Sequence, residues 1–472
     1  MNKKGLIILG IVLLVMLIGA AAMFIVLGGS HDSPSVPSDG TEAPSSLSAL
    51  DDFMCITVTI GANPIEDKNF CWQTLGEIQR GVLQYAPAEG GLSSFSGLSA
   101  EAFEKLAYET VEAVTEFQKL LLPEEGQYNY KIPTLTEVSG YVHRVYLTGL
   151  SAGQAYYYRV GDGNGAWSSV GLFETAPEDL STFSFLYVTD TQGFTAADFS
   201  YWGNLIQNAT ERHPDSEFIL HLGDAVEEGK NQYQWCMFFS AAGDVLRNRT
   251  VIDVAGNKDK QHTFKHYTNG AEGDRKALAS GYFSFDYGEV HFSVLYTGDG
   301  DKDLPKAQLS WLKDDLAAAE GKRKIVLLHK APYSDANHTD DVEIIAIREQ
   351  VMPLCDKYGV QIVLEGHDHY FFRSEPVFDG QAAAYTYEEE EIGGDDTKMF
   401  KVQQSATIYF MNGSAGVKQH GGAIGSGTRI CTDTSFLTTA PSYTYCSVDE
   451  EKIVFKTYYS DGRLVDAWGL YW

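Results

Sequence analysis

Positive charge is what this sequence has too little of: 35 Lys+Arg against 64 Asp+Glu in 472 residues leave a formal net charge of −29. Such a chain repels polyanions, which argues against nucleic acid and anionic membrane surfaces as charge-driven partners and obliges any small anionic substrate to find a local positive centre. Cysteine is scarce too, six residues in all, and none stands in a C-x-x-C spacing, so neither a zinc ribbon nor a dithiol redox motif is encoded. No short-period repeat is visible, which argues against a solenoid. What is present, 44% hydrophobic and 12% aromatic residues, suffices for substantial cores in two or three domains.

The N-terminus places Lys3 and Lys4 before 24 uncharged residues, Gly5 to Gly28. As a helix this run measures about 36 Å, enough to span a bilayer. It outlasts the apolar region of a typical signal peptide, so a membrane anchor over residues 1–29 is expected, with a cleaved signal peptide as the alternative. Under the positive-inside tendency everything after it is exported in either case: a single-pass membrane protein with its bulk outside the cell, or a secreted one. Residues 30–50, rich in Ser and Pro, read as a tether. Export permits disulfides. Cys55 and Cys71 flank two strand-like runs around Asn63-Pro64 and are a candidate pair, as are Cys431 and Cys446, whereas Cys236 and Cys355 read as buried thiols.

From Met54 to about Ala176 the chain shows short strands punctuated by Gly, Asn and Asp, the mark of a β-sandwich in which Trp72 would be a core anchor. Residues 100–117 mix helical spacing with strand alternation and read as an insertion. After "APEDLSTF" the pattern changes to apolar runs of strand length separated by helical stretches, as in sheets covered on both faces. The runs "FSFLYVTD", "EFILHLGD", "TVIDVAGN", "KIVLLHKAP" and "VQIVLEGHDH" each end in a polar group. Ligands of open α/β architectures bind at the carboxyl ends of strands, so five such endings suggest one crevice.

The series Asp190-x-Gln192, Gly223-Asp224, Gly256-Asn257, His329 and Gly366-His367-x-His369 resembles the calcineurin-like metallophosphoesterase superfamily. With the preceding sandwich, in which Leu150, Ala152 and Tyr156 resemble the Leu-x-Pro-x-x-x-Tyr corner of fibronectin type III domains, the chain is similar to the purple acid phosphatase branch over residues 51–472. The resemblance implies two metal ions that clamp an in-line phosphoryl displacement. It places Asp224 as the bridge, Asp190 and His369 on the first ion, and Asn257, His329 and His367 on the second, with a hydroxide between the ions as nucleophile. Oxygen and nitrogen donors of this kind suit iron, zinc or manganese. The expected architecture is α+β and multidomain: an N-terminal transmembrane helix, a linker over 30–50, a fibronectin III-like domain over 51–177, and an α/β/β/α metallophosphoesterase domain over 178–472.

Three positions depart from the family pattern. Glu227 stands where purple enzymes supply a tyrosinate to the first metal, so their charge-transfer colour is expected to be absent. Gln192 stands where many members have a histidine, and could meet a metal or the phosphate. Lys258, followed by Asp259, replaces the histidine thought to protonate the leaving oxygen, and both are candidate catalytic residues. A free lysine, with a pKa of about 10.4, is a poor proton donor at neutrality but can stabilise charge on a leaving oxygen. His262 and His266 are candidate auxiliary acids. The expected activity is hydrolysis of phosphate esters outside the cell, and the alternative is a surface binding or adhesion module that retains the fold without turnover. The acidic run Glu388–Glu391 reads as a solvated loop, with a calcium site as the alternative.

Overall fold

The computed structural model describes residues 52–270, 281–298, 304–402, 405–419 and 431–472. The expected anchor and the whole of the expected tether lie outside these residues, and among the described ones no helix is long and apolar enough to cross a membrane.

Two stacked sheets form the centre of the molecule. In one, the strands Phe183–Val188, Phe218–His221 and Thr250–Asp253 run parallel as neighbours, and in the other Arg323–Lys330 lies parallel to Ile362–Gly366 and Ile362–Gly366 to Ile408–Asn412. Their sequences dictate this burial. A strand's side chains alternate between faces, so Phe185 and Tyr187 point to the facing sheet while Leu186 and Val188 point outward. Between the sheets, Phe185, Phe218, Leu220 and Ile252 pack with Phe292, Ile325, Leu327 and Leu364. On the outer faces lie helices: Ala196–Arg212 buries Phe199, Trp202 and Ile206 on the first sheet, and Lys306–Ala318 buries Leu312 and Leu316 on the second. A strand covered on both sides must be apolar at every position, which is why these runs show no polar alternation. The layers are thus α/β/β/α.

The N-terminal portion is a β-sandwich. One layer is the four-stranded sheet of Glu109–Glu112, Val82–Pro87, Ala155–Gly161 and Gly171–Glu174. The other contains Met54–Ile60, Lys68–Leu75, Leu135–Leu147 and Val114–Pro123. Trp72 is fully buried between them, and the Tyr156 hydroxyl accepts a hydrogen bond from Ser151 N at 2.9 Å, closing the tyrosine corner. Residues 100–117 are not an insertion: after a short helix, Ala100–Phe103, they supply strands to both layers, and the chain changes sheets at Ala113, whose N–H bonds to Gly81 O.

The sandwich and the α/β/β/α portion share a sheet. Met54–Ile60 pairs in parallel with Thr250–Asp253, Val58 opposite Thr250, so one twelve-stranded sheet runs through both. Side-chain bonds reinforce the join: Asn248 Oδ1 accepts from Leu172 N at 3.0 Å, and the Tyr158 hydroxyl donates to Arg247 O.

No disulfide forms among the described residues, which include all six cysteines. Cys71 stands opposite Thr57 and donates instead to His266 O, while Cys55 lies in an irregularity of its strand with φ +53°. Cys446 points into the intersheet core. The acidic run is no loop: Tyr385–Ile392 and Asp395–Val402 form an edge hairpin whose Glu388 and Glu390 pair with Lys401 and Lys452.

His291, on the second sheet, sits between Asp286 at 2.7 Å and Asp315 at 3.0 Å, with Ser293 and Lys322 completing the cluster. Burial alone would lower its pKa, but the two carboxylates raise it to about 9 from 6.5. A folded-state pKa above the unfolded one stabilises fully below about 6.5 and ceases to do so as pH rises through about 9. The Tm deficit of His291→Gln relative to wild type should therefore be largest near pH 6 and shrink above pH 9 in a thermal-melt series.

Candidate metal centre

Four of the five strand ends singled out in the sequence line one cleft of about 320 Å³, through Gln192, Asp224, Asn257, Lys258, His367 and His369, with Asn337, His338, Asp368, Lys418 and Gln419 around them, and the other places the buried His329 behind it, 3.4 Å from Asp224. The first sheet delivers Asp190, Asp224 and Asn257 from the turns after three neighbouring strands. The second delivers His329 from inside a strand and His367 and His369 from the turn after the next.

These turns are sharp. Of the eight non-glycine residues with positive φ among those described, four are Asp190 (+58°), Asp224 (+51°), His367 (+79°) and His369 (+58°). The left-handed region is costly for residues with a Cβ and persists where surrounding bonds enforce it, typically at functional sites. Close approach also requires glycine: a Cβ on Gly256 would lie 2.2 Å from both the backbone nitrogen and Oδ1 of Asp224.

Two groups of donor atoms, each lying mutually within 4.8 Å, share Asp224: Asp190, Asp224 and His369, and Asp224, His329 and His367. Asn257 Oδ1 joins the second, 3.2 Å from His329 Nε2. The bonds behind these atoms aim them. His329 Nδ1 donates to Leu222 O at 2.7 Å, which leaves Nε2 free to face the cleft. Asp190 Oδ2 accepts from Thr189 Oγ1 and His367 N, both at 2.9 Å, which leaves Oδ1. That Oδ1 is buried and accepts no hydrogen bond, although His369 Nε2 is 3.2 Å away. Gln192 Oε1 is likewise buried without a partner, while its Nε2 lies 3.3 Å from Asp224 Oδ2 and 3.2 Å from His369 Nε2. A half-turn of the amide would exchange the two atoms and present the oxygen. Lone pairs converging without protons between them are what a cation requires, so the donor set fits cation binding.

A cation bound among these groups would displace the proton that Asp224 otherwise draws onto His329. Burial would raise the Asp224 pKa, but His329 and the Lys258 N–H at 2.8 Å from Oδ1 overcome it and hold the carboxylate ionised. His329 moves the opposite way, to about 9, its burial outweighed by Asp224. His367 is pushed well down by burial and by His329.

Other candidates lie elsewhere. Asp259 turns away from the cleft: Oδ1 accepts from Ala225 N (2.8 Å) and Val226 N (3.3 Å), and Oδ2 from Gly256 N (2.8 Å). With its carboxylate spent on backbone amides it ties the Asp224 turn to the Asn257 turn, and it has no access to substrate. His266 is buried against the sandwich, where its carbonyl accepts from Gln73 Nε2, so it is no auxiliary acid. The His262 side chain lies outside the described residues. Glu227 meets Lys258 Nζ at 3.5 Å and bonds to Lys418 Nζ. Sequence reasoning missed Lys418 and His338. His338 is exposed at the cleft, its ring 4.7 Å from that of His367 and its Nδ1 2.7 Å from Asp341 Oδ2. Its signal was a histidine nine residues after His329, in the segment that follows the same strand.

Residues 54–175 match the family "Purple acid Phosphatase, N-terminal domain" and residues 183–371 the family "Calcineurin-like phosphoesterase". Purple acid phosphatase 22 of Arabidopsis thaliana is 30% identical over 52% of this chain and 56% of its own length. Probable inactive purple acid phosphatase 1 of the same plant is 23% identical over 59% of this chain and 49% of its own. The chain spans about half the length of such curated relatives. The solved structure of a purple acid phosphatase from yellow lupin (Lupinus luteus) seeds superposes with a TM-score of 0.67 at 16% identity, covering 89% of this chain and 74% of that one, and so shares the fold.

Asp259→Asn should weaken the tie between the two turns, because an amide can accept from the three N–H groups through one oxygen only. We expect a loss of about 1–3 kcal/mol in stability and weaker metal retention, measured by thermal melts and metal titration. A variant of undiminished stability and metal affinity with a collapsed rate would instead mark Asp259 as a catalytic group.

Proposed function

We propose that this chain, a purple acid phosphatase-like member of the calcineurin-like phosphoesterases, hydrolyses phosphate esters at a centre of two metal ions. The observation that carries this reading is the pair of donor groups sharing Asp224 at the confluence of five strand ends. Asp190, His369 and Asp224 would hold one ion, with Gln192 turned toward it, and Asp224, Asn257, His329 and His367 the other. The mixture of carboxylate, amide and imidazole suits iron, zinc or manganese. Bound, the ions would supply Lewis acidity and an activated water for in-line displacement.

The chain's own residues do the rest. Lys258 brings a positive charge to the leaving oxygen. His338, steadied at Nδ1 by Asp341, offers its other nitrogen to a phosphate oxygen. The ions and these side chains form the positive centre that a chain of net charge −29 otherwise lacks. We further infer that the chain works outside the cell, anchored through residues 1–29, a reading supported by the uncharged run after Lys3 and Lys4.

Asp224→Asn should lose both metal occupancy and activity while the fold survives, read by metal analysis, nitrophenyl phosphate turnover and circular dichroism. Retention of two ions and near-native turnover would overturn the assignment. A wild-type protein that binds two ions yet turns over no phosphate ester would instead be a binding module.

The role of Lys258 is read from leaving groups. As a fixed cation rather than a proton donor it should favour esters with acidic leaving groups over alkyl esters, and Lys258→His should narrow that gap. A placed general acid contributes about 10²–10⁴-fold, so the change should be clear for alkyl phosphates and slight for nitrophenyl phosphate. Equal wild-type rates for both, with chemistry rate-limiting, would show that an effective acid is already present.

A further inference from the structure

The cleft wall beside the donor groups carries a lysine–glutamate–lysine bridge. Glu227, whose side chain is 13% exposed, lies beneath Lys258 and Lys418, each 37% exposed, so both ammonium groups reach the cleft surface while the carboxylate stays under them. The bridge is uneven. Lys418 Nζ is hydrogen-bonded to Glu227 Oε2, whereas Lys258 Nζ stands 3.5 Å from Oε1, beyond the usual N–H···O range. Two cations sharing one anion leave a net positive charge, and the loosely held Lys258 is available to a stronger acceptor.

Lys258 sits in a turn that carries a candidate metal donor, and Lys418 in a loop bonded to another such turn. The Lys258 backbone N–H donates to Asp224 Oδ1 at 2.8 Å. Lys418 follows Ser414 and Ala415, whose Oγ and N donate to Asp190 O at 2.8 Å and Thr189 O at 2.9 Å. The ammonium groups are therefore tethered one side chain's length from the loops that would hold the reacting phosphate. Glu227 is occupied by these cations and so is kept from taking the place of a metal ligand.

A lysine neutralises negative charge well and supplies protons poorly at neutral pH. The leaving group that suits such a wall departs as an anion and needs charge, not a proton. We propose that Lys258, Glu227 and Lys418 form a subsite for an anionic leaving group that sets the preference of this chain among phosphate substrates, tilting it toward phosphoanhydrides, in which the scissile phosphate is joined through oxygen to a second phosphate. This rests on the reading of the cleft as hydrolytic. In the step, the oxygen of water bonds to the terminal phosphorus and the P–O bond to the bridging oxygen breaks. Its electron pair stays on that oxygen, which leaves as a phosphate anion against the two lysines, and the two protons of water pass to the products and solvent.

Two measurements on the metal-loaded protein test the proposal. The first compares kcat/KM for inorganic pyrophosphate and adenosine diphosphate with that for an alkyl phosphate. An anhydride preference of at least about 10-fold is expected, with whichever anhydride is faster naming the source. Lys418→Gln should lower that ratio about 10-fold, the scale of one charge-assisted bond, and Lys418→Arg should restore most of it. The second compares calorimetric binding of methylenediphosphonate and methylphosphonate, which needs no turnover. Diphosphonate should bind more tightly, and Lys418→Gln should remove the difference. Equal binding of the two phosphonates, or an equal effect of Lys418→Gln on both, would overturn the subsite. Absence of all turnover alongside a Lys418-dependent diphosphonate preference would retain the subsite and reject the hydrolytic reading instead.

Discussion

Asp224 keeps a full negative charge at a place where only 2% of the residue meets solvent. An uncompensated buried carboxylate costs several kcal/mol, and the surrounding structure is organised around meeting that cost. Lys258 N–H and Gln192 Nε2 approach its two oxygens, and His329 faces one of them. Gly256 leaves room for them, since a Cβ there would collide with the carboxylate. Asp259 pins the turn on either side of that contact through three backbone amides. Remove the charge at Asp224 and the left-handed turns and the two donor groups lose their common member.

The stacking of two sheets decides which loops can meet at that charge. Aromatic and branched side chains interdigitate between the sheets, Phe185 and Phe292 with ring centroids 6.0 Å apart among them, and close packing allows little sliding of one layer over the other. The carboxyl ends of strands from both sheets are thereby brought to one edge, acids and amide from the first and imidazoles from the second. An acidic protein can then treat an anion favourably where cations held by these donor groups, with a few tethered lysines, would outweigh the surrounding field.

Most of the strands were legible because burial on both faces leaves an unbroken apolar run, and the donor residues were legible because each run stops at a polar group. What escaped depends on side-chain direction or on distant pairing. Asp259 follows Lys258 in the chain, yet its side chain points the opposite way, and spacing in a turn carries no such sign. His338 and Lys418 arrive on loops, where no periodicity marks the inward face. The cysteines were paired by sequence proximity, but the strand register sets Cys71 opposite Thr57. Residues 100–117 look irregular in sequence because a short helix is followed there by a crossing between layers, at which the alternation changes partner.

The parallel pairing of Met54–Ile60 with Thr250–Asp253 has a consequence for the history and handling of this protein. A sandwich joined through a flexible linker can be cut away or exchanged like a cassette. Here excision would strip the neighbour from a central strand and leave a row of open N–H and C=O groups, a template for self-association. The two portions therefore complete one sheet between them, and a chain cut near residue 177 would expose that edge on both halves.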